Sequence, residues 1–96
     1  PGLANVDPDG YVRQWQAFER GDWEAVRAEQ DRIADLMRIV LVKGVHGFGA
    51  GVGAFKTALQ LLGVFDSNEM PRPVAALEGD NVEHVASVLR EAGLLS

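Results

Sequence analysis

Ala17-Phe-Glu-Arg-Gly-Asp-Trp-Glu-Ala-Val26 decides how this chain folds. Gly21 is the residue type favoured just past a helix end, because glycine takes the left-handed backbone conformation without a Cβ penalty. Asp22 follows at once, and an aspartate there can accept a hydrogen bond from the first free N–H groups of a new helix. A helix that stops at Gly21 and another that starts at Asp22 leave no residues for a crossing. The two must turn back sharply on each other.

Working outward from that junction, the first helix opens with Asp7 as N-cap and Pro8 at the first helical position, where the missing N–H costs nothing. It runs to about Arg20, and Tyr11, Val12, Trp15 and Phe18 repeat along it at helical spacing. That bulky stripe has to be covered, either as core or as an interface; packing accounts for Trp15, Phe18 and Trp23 better than a ligand platform does. Ahead of it, Pro1-Gly-Leu-Ala-Asn-Val-Asp-Pro8 opens without a methionine and reads as the extended tip of a strand from something larger.

Downstream, Val26, Ile33, Leu36, Met37, Val40 and Leu41 keep a helical period for about twenty residues, up to Gly44. Glu24 with Arg27, Glu29 with Arg32 and Asp35 with Arg38 are i,i+3 pairs expected on its wet side. Glycines at 44, 47, 49, 51 and 53 predict a loop, then a third helix over about Val52 to Leu62 with Val52, Phe55, Leu59 and Leu62 inward and Gly63 as its stop. Asp66-Ser-Asn68 and Pro71-Arg-Pro73 predict a surface crossing. Asp80 with Glu83 suggests a capping box for a last helix, with Val82, Val85, Ala86 and Leu89 inward and Gly93 at its end. Leu94 and Leu95 are expected to fold back onto the core. The reading is all-α, four helices with no strand.

Ninety-six residues allow one modest core, and 47% hydrophobic content is enough to build it. A net charge of −5 with no basic stripe argues against nucleic acid. The longest apolar run, Ile39-Val-Leu-Val42, is far short of a membrane span. The chain has no cysteine, which suits the cytoplasm.

Gly47-Phe-Gly-Ala-Gly-Val-Gly53 has the look of a phosphate cradle, but a dinucleotide fingerprint needs a preceding strand and a P-loop needs Gly-Lys-Ser/Thr. A flexible helix connection is the better reading. Lys43 and Lys56 are the only lysines, so an amine nucleophile would have to be one of them. Lys43 falls at a helix C-terminus and Lys56 in the first turns of an amphipathic helix, and neither position activates an amine. His46 and His84 lie 38 residues apart with no carboxylate at ligand spacing, so a metal site lacks its usual signature. Asp7 with Asp9, and Asp31 with Asp35, are explained by capping and solvation. These residues contain no expected catalytic, cofactor-binding or metal-binding position.

In their order, these signals resemble the dihydrodipicolinate synthase and N-acetylneuraminate lyase family. Leu3-Ala-Asn-Val-Asp-Pro8 resembles its segment leaving the eighth barrel strand, and Ala17 to Val26 its break between the eighth barrel helix and the C-terminal helical domain. Phe55-Lys-Thr-Ala-Leu59 with Leu62-Gly63 resembles its Val-Lys-x-Ala-Leu helix. Met70-Pro-Arg-Pro-Val74 is similar to its proline-bearing crossing, and Leu89-Arg-Glu-Ala-Gly-Leu-Leu95 to its ending. One departure stands out: Ala50-Gly-Val-Gly53 replaces the usual Asn-Pro-x-Pro turn.

The resemblance implies a parent (β/α)8 TIM barrel whose sixth-strand lysine forms a Schiff base with pyruvate or another 2-keto acid, none of whose catalytic positions falls in this sequence. Residues 1–21 would then be the strand exit and last barrel helix, and 22–96 the C-terminal helical domain. Self-association through the stripe including Tyr11, Trp15 and Phe18 is expected. The alternative is a self-standing helical module that binds an amphipathic partner helix.

Overall fold

Asp7 and Asp22 both cap as their positions predict: Asp7 Oδ1 accepts from Gly10 N at 3.3 Å and Asp22 Oδ1 from Ala25 N at 3.1 Å. Between them, in a computed structural model that describes residues 2–96, runs helix α2 (Pro8–Glu19), and after Asp22 comes α3 (Trp23–Leu36). The pair forms the expected antiparallel hairpin, and Arg13 on α2 reaches Glu29 on α3 through Nε at 2.7 Å. The remaining elements are α1 (Gly2–Val6), a 3₁₀ turn (Met37–Val40), α4 (Gly47–Leu61) and α5 (Asp80–Glu91). No strand occurs among the described residues.

Three helix ends share one device. Gly21, Gly63 and Gly93 have φ of 70°, 81° and 77°, the left-handed region that glycine enters freely. At each, the glycine N–H and the next N–H bond back to the last turn: Gly21 to Phe18 and Asp22 to Ala17, Gly63 to Gln60 and Val64 to Leu59, Gly93 to Arg90 and Leu94 to Leu89. This Schellman arrangement satisfies carbonyls that a helix end otherwise leaves free. Past the last of them, Leu94 and Leu95 do fold back against the core.

Several boundaries differ from expectation. The segment read as an extended strand exit is helical from Gly2 to Val6, with Leu3 and Val6 buried and Phe55 against Gly2 so closely that a Cβ there would collide with the ring. Pro1 lies outside the described residues.

The long second helix does not keep its α period to Gly44. It tightens into the 3₁₀ turn at Met37, whose buried residue is Ile39, and Ile33 and Leu36 before it and Val42 after it are also buried. Met37 and Leu41, expected inward, are exposed. Leu36 and Ile39 are essentially fully buried, each contributing about 1.5–3 kcal/mol from the area removed from water.

The glycine stretch corrects the reading most. Helix α4 begins at Gly47, so Gly49, Gly51 and Gly53 are helical. Its buried face is Gly49, Ala50, Gly53, Ala54, Thr57, Ala58 and Leu59, whereas Val52 and Phe55 are only partly covered. Small residues there let neighbours approach: a Cβ at Gly49 would meet Val45 Cγ1 at 3.0 Å, and one at Gly53 would meet Leu77 Cγ at 3.4 Å. The capping box for α5 also fails to form, since Gly79 is the N-cap and offers no side chain. Glu83 instead lies 3.8 Å from Arg90.

The crossing from 64 to 79 is held by Asn68. Its Nδ2 donates to Thr57 Oγ1 at 3.1 Å and to the Leu77 carbonyl at 2.8 Å, satisfying a hydroxyl that is fully buried on α4. Among the described residues no buried side-chain nitrogen or oxygen lacks a partner.

Candidate functional site

The structure disperses the groups that could carry chemistry. Lys43 sits in the turn after the 3₁₀ segment rather than on a helix end, and its backbone is bracketed by Asn81, whose Oδ1 accepts from Lys43 N at 3.0 Å. Lys56, on α4, donates from Nζ to the Glu69 carbonyl at 3.2 Å. An amine nucleophile is activated by an apolar pocket or a neighbouring cation, whereas the Lys56 contact is a backbone carbonyl.

His84 Nε2 lies 2.6 Å from the Arg38 carbonyl, within hydrogen-bond reach of the end of the 3₁₀ turn. His46 occupies the N-cap position of α4 with no side-chain hydrogen bond to it. The two histidines thus sit on different elements, and no group of three or more His, Cys, Asp or Glu suited to a metal occurs among the described residues. Gly47–Gly53 is not a loop: its four glycines all lie within α4, where two of them serve packing.

A cleft of about 440 Å³ lies between α3 and α5, lined by Asp31, Arg32, Asp35, Arg38 and Glu91 among others. Of these, Arg38 and Glu91 pair with each other, while Arg32 turns to Asp7. Arg38 binds Glu91 and also donates from Nε to the Asp35 carbonyl at 3.1 Å, and the Glu91 contact holds the guanidinium pKa above its ordinary value. Of the i,i+3 pairs expected on the wet face of α3, Arg32 with Glu29 is present at 4.0 Å, Arg38 pairs with Glu91 instead of Asp35, and Glu24 with Arg27 does not form.

What stands out is the aromatic stripe. Trp15 is 60% exposed, Phe18 49% and Trp23 57%, with Val12 beside them also exposed. The rings organise one another, Trp15 stacking on Phe18 at 5.4 Å between centroids and Trp23 meeting Phe18 edge-on at 5.5 Å. Tyr11, Gln14 and Val26 continue this surface. Grouped this way, these large apolar side chains form one exposed apolar patch. Helical spacing says which residues share this face and not what lies opposite it.

What the fold defines is thus a helical unit with an exposed apolar face. No protein-family model matches the chain. It is similar to two DapA-like lyases, themselves uncharacterized, from two strains of Halobacterium salinarum: each is 34% identical over 93 residues, which is 97% of this chain and 28% of the relative. The chain spans little more than a quarter of the length of the curated relatives it matches. The likeness read from the sequence motifs therefore recurs across nearly the whole chain, as a C-terminal fragment of a DapA-like lyase would show.

Proposed function

We propose that these residues form the C-terminal helical part of a DapA-like lyase, and that the parent condenses or cleaves 2-keto acids such as pyruvate through a lysine Schiff base. The single observation that carries this reading is the pairing of coverages: almost all of this chain aligns, with little more than a quarter of the relative. The chemistry then belongs to a barrel outside these residues, whose site is built from the C-terminal ends of many strands.

In this reading residues 1–21, with α1 and α2, are the segment leading into the last barrel helix and that helix itself, and residues 22–96 are the helical domain. The Trp15, Phe18 and Tyr11 face is covered by the barrel or by another subunit, giving the helical part a role in packing and oligomerisation. The absence of cysteine fits a cytoplasmic enzyme.

The coding sequence upstream of Pro1 tests the reading. Roughly 200 further codons, patterned as alternating strands and helices and carrying a lysine at a strand end, are expected for a barrel. A start codon immediately before Pro1 contradicts it and leaves the self-standing interaction module.

A further inference from the structure

Arg32 touches both ends of the chain. Its Nη1 donates to Asp7 Oδ2 at 2.5 Å, and its Nη2 donates to the Ala92 carbonyl at 3.1 Å. Asp7 is the N-cap of α2 and only 3% exposed, and its N–H bonds back to the Leu3 carbonyl of α1 at 3.0 Å. Ala92 is the C-cap residue of α5, one step before the Gly93 turn.

One guanidinium therefore serves two opposite helix ends. A carboxylate at a helix N-terminus and a cation at a helix C-terminus are each favourable to the local dipole, and Arg32 lies against both. The planar fork makes this possible, since its separate N–H groups point in fixed directions; a lysine ammonium is a single point charge. Other groups near the carboxylate do not replace it. Arg13 Nη2 is 4.0 Å from Asp7 Oδ2 and hydrogen-bonds through Nε to Glu29, while Gly10 N bonds to the other carboxylate oxygen.

We propose that Arg32 is a two-ended clamp, through which the seating of α1 and the start of α2 depends on an intact C-terminal turn after α5, and the reverse. Direct contact between α1 and α5 is not required, because each is tied to the same side chain on α3. Coupling of this kind is reciprocal by thermodynamic necessity: the C-terminal turn stabilises the seating of α1 by the same coupling free energy with which a seated α1 stabilises the C-terminal turn. The clamp acts whether or not the chain is part of a lyase.

Amide hydrogen exchange, read peptide by peptide on the whole polypeptide that carries these residues, tests it. Arg32→Met is expected to speed exchange in both residues 2–10 and residues 92–96, by at least about tenfold, the loss typical of a hydrogen bond to a charged group. Faster exchange at one end alone overturns the clamp. Arg32→Lys keeps a charge near Asp7 without the fork, so residues 92–96 should open and residues 2–10 should also exchange faster, though less than in Arg32→Met. Full protection of both ends in that variant overturns the need for the fork. Asp7→Asn, altered only at the N-terminal end, should still loosen residues 92–96, and unchanged exchange there contradicts the coupling.

Discussion

Asn81 holds the backbone of Lys43 from both sides, accepting from its N–H at 3.0 Å and donating Nδ2 to its carbonyl at 2.9 Å. This pins the turn between the 3₁₀ segment and α4 to the first turn of α5, across 38 residues of sequence. Asn81→Ala should lower stability by about 1 kcal/mol, since two backbone groups of an exposed turn lose their protein partner to water. Chemical denaturation of the variant checks this; a change near zero means water replaces both bonds at no cost.

Two helical glycines should respond to alanine with opposite signs. Gly51 on α4 has open space where a Cβ would go, so Gly51→Ala should stabilise by about 0.5–1 kcal/mol through lower unfolded-state entropy. At Gly10 a Cβ would collide with the Asp7 carboxylate and sit 3.0 Å from Arg32 Nη1, so Gly10→Ala should destabilise by about 1–3 kcal/mol despite alanine's better helix propensity. Thermal unfolding of the two single variants decides; equal signs contradict the packing described around Asp7.

Thr57 and Asn68 should differ in a graded way. Thr57→Val removes one acceptor but leaves Asn68 bonded to Leu77, at a cost of about 1 kcal/mol. Asn68→Ala orphans the buried Thr57 hydroxyl as well as the Leu77 carbonyl and should cost about 2–3 kcal/mol. The reverse ranking in denaturant midpoints means that Asn68 is not the anchor of the 64–79 crossing.

How much of this the sequence disclosed follows from the physics of each signal. Helix ends are local chemistry, so Asp7, Pro8, Asp22, Gly21, Gly63 and Gly93 placed them well. Glycine has two meanings, however, and composition alone does not separate a loop from a helix face packed closely on its neighbours, which is how Gly49 and Gly53 are used. The switch from α to 3₁₀ at Met37 is a tertiary outcome, which buries Ile39 and leaves Met37 exposed. The role of Arg32 was hidden for a similar reason: an i,i+3 neighbour was at hand in Glu29, while its closest partner lies 25 residues away.

The exposed aromatic face should drive association of the isolated chain. Sedimentation of the 96-residue chain at tens of micromolar is expected to show dimers or larger species, and Trp15→Ser with Phe18→Ser should weaken the association at least about tenfold, as loss of aromatic anchors does. Folding should survive, because both side chains are largely outside the core. A clean monomer for the unmodified chain contradicts the expectation.

The central claim is that the chemistry lies outside these residues, on a lysine of the parent barrel. Borohydride trapping with pyruvate, followed by peptide mapping of the whole polypeptide, tests it most directly. The account predicts a reduced adduct on a lysine beyond the 96 residues, with Lys43 and Lys56 unmodified. An adduct on either of those two, or no adduct anywhere in the polypeptide, contradicts it.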